Sequence, residues 1–196
     1  MKTQFKFITF LFLTVLSIQV IAQEKKTQHV EVSRIINAPV ESVWKVVGEE
    51  FGEIHKSHPK IVSSDYLNDS PTHGCEGAER VCNLNMDGSK YIKEKQVEFN
   101  PDQHSFKVQI TNSGTLPLDA EYSFAEYKVE KVDENTSKLI FTFDYRTKPA
   151  FMGSLAKGKF KKQLSDYMLA VDHYVTTGEE VNAENFKNIK KQQQSK

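Results

Sequence analysis

Between Ile61 and Arg146 turn residues cut the chain into short stretches, and after Pro149 one long helical pattern follows. The stretches are Ile61–Leu67, Ala78–Leu84, Tyr91–Phe99, Ser105–Thr111, Ala120–Val132 and Lys138–Arg146. They are separated by Asn68-Asp69-Ser70-Pro71, Met86-Asp87-Gly88-Ser89, Asn100-Pro101-Asp102, Asn112-Ser113-Gly114 and Asp133-Glu134-Asn135. Connections this short cannot carry the crossover that parallel strands need, so the predicted strands are antiparallel. Phe106, Val108 and Ile110 alternate, as do Leu139, Phe141, Phe143 and Tyr145, and these sets are expected on the inner face. In Ala120–Val132 the apolar phase shifts between Phe124 and Tyr127, which predicts a bulge there.

On the amino-terminal side, His29–Asn37 alternates like a strand and ends at Ala38-Pro39. Val40, Val43, Trp44 and Val47 share one face of a short helix that Pro39 can start, and Phe51–Ser57 suits a second short turn. In Phe151–Thr177, Met152, Ala156, Phe160, Leu164, Tyr167, Met168 and Val171 fall on one stripe, and Gly178 fits the position after the helix end. The expected fold is α+β. A strongly curved antiparallel sheet of about seven strands wraps a long C-terminal helix, with one or two short helices after the first strand.

The ends read differently from this domain. Lys2 and Lys6 precede the apolar run Phe7–Ile18, and Val20-Ile21-Ala22 suits a cleavage site, the layout of a signal peptide over residues 1–22. The run is shorter than the ~20 residues that span a bilayer, which favours cleavage over a retained anchor. The expected localisation is export, periplasmic or extracellular. Residues 23–27 are a lead-in, 28–178 the domain, and 179–196 a polar tail expected to be disordered. Cleavage removes two Lys and no acid from a chain of 26 basic and 26 acidic residues, leaving it slightly acidic. Such a charge balance argues against nucleic acid as a partner. A monomer or weak dimer with no stable membrane insertion is expected. Lys157, Lys159, Lys161 and Lys162 form a solvated helix face, or else a weak contact with anionic lipid.

Several segments resemble the START-like superfamily, in its SRPBCC branch of polyketide cyclases/dehydrases and lipid-transport proteins. They are Val30–Val47, Gly77-Ala78-Glu79-Arg80, Gly88 with Tyr91-Ile92-Lys93-Glu94, Leu116-Pro117, and Thr136–Tyr145 running into the last helix. The resemblance covers residues 28–178. It implies the helix-grip fold with a deep cavity between sheet and helix. It carries no shared catalytic set onto this chain.

Within that frame the candidate ligand-binding residues are Trp44, Phe51, Tyr91, Tyr122, Phe124, Phe141, Phe143, Phe160, Leu164, Tyr167 and Met168. They are the aromatic and apolar inventory from which such a cavity wall would be built. Arg80 and Glu94 are the candidate catalytic or orienting charges, because their strands are joined by the Asp87-Gly88 turn and the two can pair across it. His55, His58 and His73 with Cys75 and Cys82 contain zinc-ligand types but lack two matched pairs, so no metal and no cofactor are expected. Cys75 and Cys82 can bridge only if the chain folds back at Glu76-Gly77; otherwise they are two thiols. The expected function is an exported binder or carrier of a small hydrophobic or amphipathic ligand. A cyclase or aromatase acting through pocket acid–base groups is the alternative, and a cell-envelope interaction protein without a ligand is a third.

Overall fold

The computed structural model of the chain describes residues 26–67 and 69–194. The expected signal peptide and cleavage point lie outside them. Seven strands form one antiparallel sheet: β1 (Gln28–Ile36), β2 (Ser63–Tyr66), β3 (Glu79–Asn83), β4 (Tyr91–Asn100), β5 (Ser105–Asn112), β6 (Phe124–Asp133) and β7 (Thr136–Tyr145). Their order across the sheet is β1-β7-β6-β5-β4-β3-β2. Consecutive strands from β2 to β7 are therefore neighbours, as short turns require. β1 returns to pair with β7, from Gln28 opposite Tyr145 to Ile36 opposite Ser137.

Register carries one continuous inner face across the sheet. Val32 lies opposite Phe141, Phe141 opposite Tyr127 and Tyr127 opposite Phe106. One step along, Phe143 lies opposite Ala125, Ala125 opposite Val108, and Val108 opposite Gln96. Every one of these residues is buried, while Lys107, Glu126 and Lys128 pass to the outer face. A side-chain period of two turns the alternation read in the sequence into this division.

The predicted bulge near Phe124 is absent. Ala120–Tyr122 forms a 3-10 turn and β6 starts only at Phe124, so the phase change marks the strand's start. The register shifts lie instead between Lys131 and Asp133 on β6 and at two places on β4, after Lys93 and after Gln96.

Helix α1 (Val40–Trp44) continues into a π turn (Lys45–Glu49) and a 3-10 turn (Phe51–Lys56). Together they close one end of the sheet, with Val43, Trp44, Val47 and Phe51 buried. The long helix α2 (Met152–Thr177) crosses the inner face and ends at Gly178, whose φ of 74° is the left-handed conformation that glycine adopts without a Cβ penalty. At its start, Gly153 lets the helix approach β1 and β7: an added Cβ would stand 3.0 Å from Gln28.

The polar tail is corrected by the structure. Residues 186–194 form helix α3 (Phe186–Gln194), and Val181 and Ile189 are buried against Leu169 and Ala170 of α2. Only a few apolar residues are spaced through polar sequence there, enough for a single helical seam but too few to announce a packed segment. Polar links fasten the seam: Lys190 bonds to Asp166, Arg34 to Asp172 at 2.7 Å and to Gln193 at 3.2 Å. Among the described residues no helix is long and apolar enough to cross a membrane.

Candidate functional site

Apart from the Arg34–Asp172 link between β1 and α2, the inner face carries a strip of polar side chains at its β3–β4 end. Arg80 on β3 lies opposite Glu94 on β4. Its guanidinium is 2% exposed, donates through Nε to Glu94 Oε2 at 2.8 Å, and places a second nitrogen 2.7 Å from the same oxygen. A third guanidinium nitrogen donates to the Phe51 carbonyl at 2.6 Å, and the cation stands 3.8 Å from the Phe51 ring centroid. Burial works against the Arg80 charge, but the Glu94 carboxylate outweighs it and holds the cation firmly. The pairing expected across the turn is thus present, and it faces inward.

Around the pair lie groups held neutral. Cys82 is buried with its sulfur 3.7 Å from Glu94 Oε2, and burial pushes its thiol up to about 12. Tyr127 and Tyr167 are hydrogen-bonded to each other, and burial raises both phenols, Tyr167 to about 12. His58 tilts over Tyr167 with ring centroids 4.9 Å apart. Its Nδ1 accepts the backbone N–H groups of Lys60 at 3.0 Å and Ile61 at 3.2 Å. Burial, with Arg80 and Lys60 nearby, pushes its pKa down to about 3. The imidazole is therefore neutral, with the proton on Nε2.

One donor in the strip is unanswered. Gln96, two residues beyond Glu94 on the same face, is fully buried. Its Oε1 accepts the Cys75 N–H at 2.9 Å, while its Nε2 has no hydrogen-bond partner among the described residues. A buried amide nitrogen left so costs about 1–3 kcal/mol.

The candidate wall residues separate into three groups. Phe141 and Phe143 of β7 and Tyr167 and Met168 of α2 are buried between sheet and helix, and Phe160 and Leu164 are half-buried beside them. Their rings meet: Phe106 stacks on Tyr127 at 4.4 Å, Tyr127 stands edge-on to Phe141 at 4.4 Å, and Phe160 packs on Phe143 and Tyr145 at 5.5 and 4.6 Å. Side chains thus occupy the space where the resemblance implied a deep cavity. Trp44 and Phe51 belong to the closed end, Trp44 packing on Phe99, His104 and Phe106.

Phe124, Tyr91 and Tyr122 lie outside the grip. Phe124 is half-buried on the outer face, with the Lys107 ammonium 5.4 Å from its ring, because β6 begins there in the opposite phase. Tyr91 is half-buried at the start of β4, its ring under Gly114 and the Lys93 ammonium, and Tyr122 is half-buried in the 3-10 turn. A depression of about 430 Å³ also lies on the outer face, between Glu98, Lys107, Glu126 and Thr142.

Tyr127 and Gln96 belong to the strip although neither stood among the candidates, and His58, considered only as a zinc-ligand type, belongs to it too. Gln96 had a legible signal, since a period of two from Glu94 places it inward. Cys75 and Cys82 are free thiols. Among the described residues no three His, Cys, Asp or Glu side chains gather in a metal-binding group. His55 Nδ1 is bonded to Ser64 at 2.8 Å.

Solved structures share this architecture. XoxI from Bacillus cereus is 22% identical with a TM-score of 0.63, covering 76% of this chain and 96% of that one. Truncated norcoclaurine synthase from Thalictrum flavum is 16% identical with a TM-score of 0.58, over 78% and 95%. Zhui aromatase/cyclase from Streptomyces sp. R1128 is 13% identical with a TM-score of 0.59, over 77% and 94%. At these identities the likeness shows the fold alone. No curated protein matches the chain. The model of the family described as polyketide cyclase / dehydrase and lipid transport matches residues 27–168, from the lead-in into the second half of α2. The chain therefore belongs to the polyketide cyclase / dehydrase and lipid transport family.

Proposed function

We propose that this protein is an exported binder or carrier of a small amphipathic ligand, held between sheet and α2. The observation that carries the reading is the polar strip around Arg80, Glu94 and the unanswered Gln96 amide on the inner face. A buried cation–carboxylate pair and an unanswered amide donor are costly to keep in a core that could have been apolar. A ligand with an apolar body and a hydrogen-bond acceptor at one end would supply what Gln96 Nε2 lacks, beside the fixed charge of Arg80. Space for the body would come from parting the half-buried Phe160 and Leu164 of α2 from Phe143 and Tyr145. Export follows from the signal-peptide layout of residues 1–22.

A cyclase-type reaction is the second reading, and Tyr127 and Tyr167 favour it. High phenol pKa values keep both hydroxyls protonated, as groups that polarise a carbonyl must be. Glu94 is poorly placed as its base, because its carboxylate already takes two guanidinium contacts. Mass spectrometry of small molecules released from the purified protein tests the proposal. An apolar molecule with a carbonyl or carboxylate, lost in Gln96→Leu, is the expected result. A protein that releases nothing and takes up no fatty acid or aromatic ketone overturns binding. Chemical conversion of a bound ketone would establish the second reading.

A further inference from the structure

Helix α2 is apolar on two faces, and the structure covers only part of the second. One face lies on the sheet through Phe160, Tyr167 and Met168. On the opposite face, the C-terminal half presents Leu169 and Ala170, and α3 buries them with Val181 and Ile189. The N-terminal half of that face has no such cover. Phe151, at the helix start, is 70% exposed, Met152 40% and Leu155 79%. At about 100° per residue, Phe151, Leu155, Lys159 and Lys162 fall within about 80° of one another, directly away from the sheet.

Charge surrounds this bare patch. From Tyr145 to Ser165 the chain has no acidic residue, while Arg146, Lys148, Lys157, Lys159, Lys161 and Lys162 are basic. Lys157, Lys159 and Lys161 are exposed and make no ion pair among the described residues. A concentrated positive segment on a chain with no net charge is a local field, and lysines near exposed aromatic and aliphatic side chains match a surface that is negative outside and apolar beneath.

The topology adds a third observation. The chain enters the domain at this place: Arg146 donates to the Lys26 carbonyl at 3.2 Å, and Gln28 packs against Gly153. Gln28 thus lies beside the start of α2.

We infer that the N-terminal half of α2 is a docking surface for anionic membrane lipid, with Phe151 and Leu155 entering the interface and the lysines contacting headgroups. The domain then rests on the bilayer by the end of α2 that carries Phe160, without any spanning segment. This surface is independent of the ligand reading, since none of its residues belongs to the buried strip.

Vesicle co-sedimentation tests it, using the chain from Gln23 onward, which keeps every described element. Phosphatidylglycerol–phosphatidylcholine vesicles are expected to bind the protein at least about tenfold better than phosphatidylcholine alone, with the difference shrinking at high salt. Phe151→Ser with Leu155→Ser is expected to weaken binding by roughly tenfold. Lys159→Gln with Lys162→Gln is expected to weaken it by on the order of tenfold, on anionic vesicles only. All these side chains are exposed, so unchanged melting temperatures show that the variants remain folded. Equal binding to both vesicle types, no binding at all, or binding that none of the variants changes overturns the inference. So does a protein that is dimeric in solution and becomes monomeric in the Phe151/Leu155 variant, because the patch is then covered by a second copy.

Discussion

Arg80 and Glu94 are bound so closely that removing either leaves the other without its charge partner. Glu94→Gln or Arg80→Met is expected to cost about 3 kcal/mol in urea unfolding, and the double variant Arg80→Met/Glu94→Leu less than either alone, because no charge is then stranded. Additive losses in the double variant would show that the pair is not coupled. His58 makes a second residue-scale statement. Its pKa in the folded chain, about 3, lies below the ordinary value of 6.5. The unfolded chain thus binds this proton more readily, so the stability linked to it is complete above pH 6.5 and is lost as pH falls toward 3. His58→Asn, whose Oδ1 can accept the same backbone N–H groups, is expected to flatten the fall in melting temperature between neutral and acidic pH. An unchanged pH profile would exclude His58 as its source.

Among the elements, α3 holds a helix that the sheet alone does not fully cover. Ile189→Ala is expected to lower stability by about 2 kcal/mol, measured by denaturant unfolding, since a side chain 3% exposed leaves a cavity against Leu169 and Ala170. A loss within error would mean that α3 is not docked in solution. Strand alternation made β5 and β7 legible, because one face of each is buried and the other wet. The start of β6 was misread, because a 3-10 turn and a strand both tolerate the aromatic-rich stretch from Tyr122 to Tyr127. The seam of α3 went unread because Val181, Phe186 and Ile189 are scattered through charged and amide residues, and burial there depends on the partner α2 supplies.

At the scale of the molecule, the succession of β2 to β7 and the grip followed from short turns ahead of one long helix, whereas the place of β1 beside β7 did not. The Arg80–Glu94 pair followed too, from strands joined by a tight hairpin. Alternation tells which side of the sheet a ring faces, but not whether rings from sheet and helix meet, so the filled interior could not be read beforehand. That filling makes ligand uptake a matter of displacing the molecule's own contacts. Apolar ligands are accordingly expected to bind more slowly than diffusion allows, and Phe160→Ala to accelerate stopped-flow uptake severalfold. Uptake at the diffusion limit in the unaltered protein would show that the space is already open.

The free thiols have a consequence for where such a chain can mature. Cys82 is sealed against Glu94 with a thiol too weakly acidic to react, and Cys75 has no sulfur partner. No covalent cross-link is needed to reach the folded state, so the domain places no demand on oxidants or on disulfide-forming enzymes. The same polypeptide would fold alike in a reducing or an oxidising compartment.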